Sequence, residues 1–291
     1  ANAGTGKAVT VTGVALGGAD KGNYKLKEQP TGVTVNITKA DAGVSITGAP
    51  TEKTYGAKNF TLTAAKTAPE STGNTGTWKW SSSDSNILEI TSGANTATPT
   101  IKVKKADANG ATLTATYSSI THYGTANVTI KVNPKDVTIT GLSAGSKVYD
   151  GNTTANATGT AVINGKVGSD NVTVTAGTAS FDNENVGTDK TVTFTGYSLS
   201  GADAGNYNLK AQPASVTANI TAKEVTITSL TAADRSYQKD NLSVALMSGT
   251  LTGVITGDTV TIDLTNAKGT MTDANAGTGK AVTVTGVALG G

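Results

Sequence analysis

Residues 1–18, ANAGTGKAVTVTGVALGG, recur letter for letter at residues 274–291. The identity sets a period of 273 residues, the spacing between residue 1 and residue 274. A repeat of this kind constrains the fold before any motif is read, because each repeated unit must close its own core or take the missing part from a neighbour. A diverged copy lies inside the period: NVGTDKTVTFTGYSLSGADAGNYNLKAQPASVTANIT at 185–221 aligns without a gap on residues 2–38. KDVTIT at 135–140 likewise returns as KEVTIT at 223–228, with Tyr149 and Tyr237 at the same spacing. These anchors divide the period into three units, each the size of a small domain. They are residues 40–135, residues 136–222, and a third that runs from 223 to 273 and continues at 1–39. The third unit is split: 223–291 is its N-terminal part and 1–39 its C-terminal part, to be completed by residues 1–39 of the next repeat or the next chain.

The local patterns have a period of two. In TGVTVNIT (31–38), Val33, Val35 and Ile37 alternate with Thr34, Asn36 and Thr38, as in a half-buried strand. KTVTFTGYSL, NVTVTAGTASF, ATLTATYSSI and ANVTIKVNP repeat the alternation with β-branched residues that suit a pleated surface. Turn formers such as Gly165, Gly168, Asp170, Gly257 and Asp258 separate them. Charged residues make up only 15% of the chain and aromatic residues 4%, so Thr, Ser, Asn and Gly must build the surface. The expected fold is all-β: tandem small antiparallel β-sandwiches of Ig-like type in an elongated array.

Several kinds of chemistry are excluded or unsupported. With no cysteine there is no disulfide, zinc-thiolate or thiol nucleophile. His122 is the only histidine, so no site within one chain can use two imidazoles. The 23 basic and 21 acidic residues leave a dispersed net charge of +2, with no basic stripe for nucleic acid. No apolar run approaches the ~20 residues of a membrane span. GTGK (4–7) lacks the full phosphate-loop pattern and precedes a strand, so it reads as a hairpin turn. No pair of acids stands out for glycoside hydrolysis, and no enzyme or obligate cofactor is expected.

Residues 147–221, beginning KVYDGNTTANATG and ending GADAGNYNLKAQPASVTANIT, resemble a YDG domain, a mostly-β, glycine-rich module repeated in large bacterial surface proteins. The name-giving residues are Tyr149, Asp150 and Gly151, followed at the far end by Gly205, Asn206 and Tyr207. The third unit is similar but reads RSYQKDN, with Gln238 and Lys239 replacing the Asp-Gly pair. Residues 40–135 resemble a bacterial Ig-like domain of the group 2 kind, most specifically in TWKWSSSDSNILEI (77–90). KTYGAKNFTLTA (53–64) is similar to the start of the mostly-β glycine-rich modules. The resemblances imply an extracellular protein of the bacterial cell surface, an adhesin or stalk.

Two function classes remain. The first is a structural repeat, adhesin stalk or fibre, whose partners are copies of itself joined head to tail through the split domain. In it Val33, Val35 and Ile37 are the assembly residues, since the open edge of 223–291 is a template for strand addition. The alternative is a module that binds glycans or host surface proteins through the Ig-like unit. There Trp78 would stack on a sugar, with Tyr117, His122 and Tyr123 extending the surface, and Trp80 would fill the core. The most oxygen-rich loop, FDNENVG, makes Asp182, Asn183, Glu184 and Asn185 a candidate calcium site, although a solvated turn explains it as well. The paired GNY landmarks are expected to do a structural task, with Tyr24 and Tyr207 anchoring the core edge.

Overall fold

The computed structural model describes residues 2–70 and 73–291. The chain is all-β, with short strands and, among the described residues, two single-turn 3-10 helices at Lys21–Asn23 and Ala204–Asn206. It divides into two compact units. The first comprises Ala1–Thr138, Ile163–Thr175 and Leu199–Ala211, and the second Ile139–Val162, Ala176–Ser198 and Gln212–Gly291.

In the first unit, the long hairpin Asp107–Ser118 and His122–Asn133 forms one face of the Ig-like module, with Thr77–Ser82 beside it. Phe60–Thr61, Thr100–Val103 and Leu88–Ser92 form a second sheet, and Val44–Thr47 pairs with Thr63–Lys66. Alternation places Leu62, Leu88, Ile101, Leu113, Ile130 and Val132 in the core, all fully buried. Trp80, expected there, is 4% exposed, and its Nε1 donates to the Thr96 carbonyl at 3.0 Å.

The second unit holds a five-stranded sheet in the order Lys147–Val148, Val216–Thr221, Gly187–Thr195, Thr178–Phe181, Thr154–Ala155. Val192, Phe194 and Ile220 are among its buried side chains. Not every pairing is antiparallel. Glu52–Thr54 runs parallel to Lys131–Asn133, and Lys147–Val148 runs parallel to Ile220–Thr221. In each case an early edge strand lies along the last strand of the module, a pairing that local alternation cannot reveal.

The two copies of the opening segment fold differently despite their identical sequence. In the first copy Gly4–Ala8 is a strand that pairs Gly4 with Ile37, Lys7 with Val35 and Ala8 with Thr34, around a bulge. In the intact module the sister residues make the same ladder, Gly187 with Ile220 and Lys190 with Ala218, around the same bulge. The turn is held the same way: Asn36 Oδ1 accepts from Gly6 N at 2.8 Å, and Asn219 Oδ1 from Asp189 N at 2.9 Å. In the second copy residues 277–281 form no strand, whereas Val282–Thr285 pairs with Lys268–Met271 and Ala288–Gly290 with Thr261–Asp263. Residues 9–17 of the first copy form no strand at all. Each copy thus makes the half of the ladder whose partner lies within reach, and the two halves together reproduce what Gly187–Thr195 and Ser198–Ser200 do in the intact module.

Candidate functional site

An open groove of about 830 Å³ lies in the second unit. One wall is residues 230–237 and the other is 274–280 with Val282 and Val284. In the intact module the space between the matching walls, Lys147–Val148 and Gly187–Thr195, is filled by Val216–Thr221. The sister of that filling strand is residues 33–38. The burial of its side chains agrees: Ala218 and Ile220 are 7% and 1% exposed, whereas Val35 is 47% exposed and Val33 41%. Ile37 is half-buried. Val284, sister of the buried Phe194, is 37% exposed. Arg235, on the wall of the groove, has a buried Nε without a hydrogen-bond partner, a cost a closed module would have to relieve.

A second constellation lies at the junction of the Ig-like and YDG-like sequences, within the first compact unit. Tyr55 follows an edge strand of the Ig-like module, and its backbone N–H donates to the Asn133 carbonyl at 2.9 Å. Its hydroxyl donates to Asp170 Oδ2 at 2.8 Å, and the Tyr207 hydroxyl donates to the same oxygen. Tyr207 also accepts from Val167 N at 2.9 Å, and the two rings meet edge to face at 5.5 Å. Burial, reinforced by the Asp170 carboxylate, raises the pKa of both phenols, that of Tyr207 to about 12. Asn206, itself buried, accepts from Ala106 N at 2.9 Å. The GNY residues therefore join one module to the preceding one. Tyr207 is 7% exposed, as expected for an anchor, but its sister Tyr24 is 74% exposed.

The aromatic candidates separate. Trp78 is half-buried and packs on the core, 5.0 Å from the ring of Tyr117. Tyr117 is 3% exposed, and its hydroxyl donates to Glu70 Oε1 at 2.9 Å. Tyr123 is 50% exposed and stands opposite Ser118, one place out of step with the Tyr117 and Gly124 pair, so it belongs to the other face. His122 faces Glu70 at 3.4 Å, and Glu70 Oε2 also accepts from Asn74 and Thr121 at 2.8 and 3.0 Å. Glu70 was invisible in the sequence, where it is one acid of a loop. Burial opposes its ionisation, but hydrogen bonds from Tyr117, Ser119 and Thr121, with the His122 charge, lower its pKa from 4.5 to about 2. A depressed carboxyl contributes stability above its unfolded pKa and loses it as pH falls through the folded value. The Ig-like module should therefore lose stability between about pH 4.5 and 2, and Glu70→Gln should flatten that part of the profile in thermal melts across pH.

In the oxygen-rich loop the Lys190 ammonium sits 3.0 Å from Asp182 Oδ1 and 2.6 Å from Asn183 Oδ1. Lys190 holds the Asp182 carboxyl below its usual range. Asn183 Oδ1 also accepts from Asn185 N at 3.1 Å, while Glu184 has no hydrogen bond or ion pair among the described residues. In the sister loop Lys280 pairs with Asp273. Lys190 thus lies against Asp182 and Asn183, two of the four oxygen-bearing side chains. Among the described residues no cluster of three or more His, Cys, Asp or Glu could hold a metal.

Fold and junction define a chain of repeated β-modules. The sequence matches the YDG domain over residues 1–32, 133–216 and 221–291, more than half of its length, and the chain belongs to that family, one of repeat or binding-type modules without a catalytic role. No curated protein matches it. Among solved structures, three N-terminal domains of the highly immunogenic outer capsid protein Hoc of bacteriophage RB49 match at 16% identity with a TM-score of 0.25. The match covers 53% of this chain and 50% of that one, so the chain spans about half the length of that relative.

Proposed function

We propose that the chain is a structural repeat segment of an extracellular bacterial surface protein, an adhesin stalk in which each split module is completed by residues 19–39 of the following repeat. The observation that carries this reading is the divided ladder of the identical segments. Residues 1–18 make the pairings that 274–291 lack, and the groove between residues 235–237 and 277–284 matches the bed of Val216–Thr221 in the intact module. A covalent repeat places the completing strand directly after residue 291. Repetition then supplies reach and many copies of any binding face without a site in every module.

Small-angle X-ray scattering of chains of one, two and three periods tests the proposal. A stalk requires the maximum dimension to grow in equal steps with each added period, at constant cross-section. Compaction of the longer chains into a thicker particle would overturn it. The 291-residue chain should also associate with concentration, and lose that association when residues 1–39 are removed, wherever the strand of one chain can enter the groove of another.

A further inference from the structure

A tyrosine beside a positive-φ glycine in one module and an acid in a loop of the next come together in this chain. Tyr55 donates to Asp170 in the following module at 2.8 Å, and Asp258, at the matching place in the module after that, raises the pKa of Tyr149. The two acids are structural equivalents. Asp170 N donates to the Val167 carbonyl at 3.2 Å, and Asp258 N to the Ile255 carbonyl at 3.1 Å. Gly165 and Gly253 ahead of them have φ +96° and +94°, and each lies against the first residues of its module, Asp136 and Val137 or Glu224 and Val225. The tyrosines are equivalent too: Tyr55 N donates to the last residue of its module's final strand, Asn133, and Tyr149 N to Thr221.

A nearby glycine completes the likeness, Gly56 directly after Tyr55 and Gly151 two residues after Tyr149. Gly56 and Gly151 have φ +76° and +75°, a region that favours glycine. A Cβ on Gly56 would meet Val167 at 2.6 Å and one on Gly151 would meet Ile255 at 3.1 Å, the same place on the next module in both cases. Asp150 stays within its own turn, bonded to Lys147 at 2.6 Å and accepting from Asn152 N at 3.2 Å.

We infer that the tyrosine-glycine stretch, KTYG at 53–56 and KVYDG at 147–151, is an intermodule plug and that the acid loop is its socket. The tyrosine docks on the carboxylate, the glycine admits Val167 or Ile255, and the GNY tyrosine of the receiving module closes the socket as the second donor to the same acid. The third member of the Asp258 socket is then Tyr24 of the following repeat, which rests on the stalk reading above. Exposure follows the completeness of the joint. Tyr55, in a full three-member joint, is 9% exposed; Tyr149, whose socket lacks its second tyrosine, is half-buried; Tyr237, with no module after it in this segment, is 64% exposed. Tyr24, apart from its acid, is 74% exposed.

Double-mutant cycles test the joint. In the 291-residue chain, Tyr55→Phe and Asp170→Asn should be coupled by roughly tenfold in the unfolding equilibrium, within the range found for residues sharing one polar network. Lys39→Ala with Asp170→Asn, an unrelated pair, should be additive. In a chain of two periods, Asp258→Asn of the first period should couple to Tyr24→Phe of the second period by a similar factor, and not to Tyr24→Phe of the first. Phenylalanine keeps the ring, so these variants retain the fold. Additivity of Tyr55→Phe with Asp170→Asn overturns the joint itself. Coupling there, with both Tyr24→Phe variants additive, would leave the plug and socket standing and remove Tyr24 of the next repeat from it. Equal coupling from both copies of Tyr24 would also contradict the assignment.

Discussion

A chain extended past residue 291 by the sequence of residues 19–39 should gain a third cooperative unfolding transition, or stabilise an existing one, by about 5–9 kcal/mol. The magnitude comes from Val33, Val35 and Ile37, each worth ~1.5–3 kcal/mol when its side chain passes from water into a core. Their sisters in the intact module are Val216, Ala218 and Ile220, of which the last two are buried. The expected gain is comparable with the whole stability of a small domain, ~5–15 kcal/mol, so the split module in the 291-residue chain should be the first part to unfold. Closing the ladder also pairs residues 277–281 and gives the edge at residues 235–237 a partner, as Lys147–Val148 has one in Ile220–Thr221. Denaturant unfolding of both chains, followed by far-ultraviolet circular dichroism, reads the difference. An added tail that changes neither midpoint nor slope would contradict it.

Trp80→Ala should cost the Ig-like module ~3–5 kcal/mol, the usual loss for truncating a buried aromatic. The indole is 4% exposed and stands opposite Ala115 on the neighbouring strand. Its Nε1 bond to the Thr96 carbonyl also disappears, which leaves that acceptor to find another partner. Trp78, two residues away and on the same face, is half-buried against Tyr117, so Trp78→Ala should cost less. The contrast is read by tryptophan fluorescence during denaturant unfolding, since each variant retains one indole. Equal losses would mean that the two indoles share one environment, contrary to their burial.

Alternation was the most legible part of this fold. It located the strands and put Val33, Val35 and Ile37 on one face, because a period of two maps directly onto the faces of a sheet, whereas the core place of Trp80 followed from the resemblance to an Ig-like sandwich. The repeat was legible as well, since sequence identity needs no structure to be seen. Three features were not. The parallel edge pairings of Glu52–Thr54 and Lys147–Val148 depend on which strands lie side by side, which no local pattern encodes. Asp170 and Asp258 read as ordinary turn residues, and only the fold brings Tyr55 of the preceding module and Tyr207 onto Asp170. The oxygen-rich loop read as a solvated turn with a weak calcium alternative, and the return of Lys190 onto Asp182 and Asn183 from several residues further along was not visible in the sequence. The available signal for the joint was the doubled occurrence of Tyr149 and Tyr237 together with Asp170 and Asp258 at the same spacing of 88 residues. Such a coincidence marks equivalent positions without saying what they touch.

Completion of each split module by the next repeat can be read residue by residue from backbone amide hydrogen exchange at residues 277–281. The same five residues are a paired strand as Gly4–Ala8 and an unpaired stretch as 277–281. In the 291-residue chain the amides at 277–281 should exchange rapidly. In the chain extended by residues 19–39 they should be protected to the level of residues 187–191 in the intact module. Exchange that stays rapid at 277–281 in the extended chain, while residues 187–191 remain protected, would contradict completion by the next repeat.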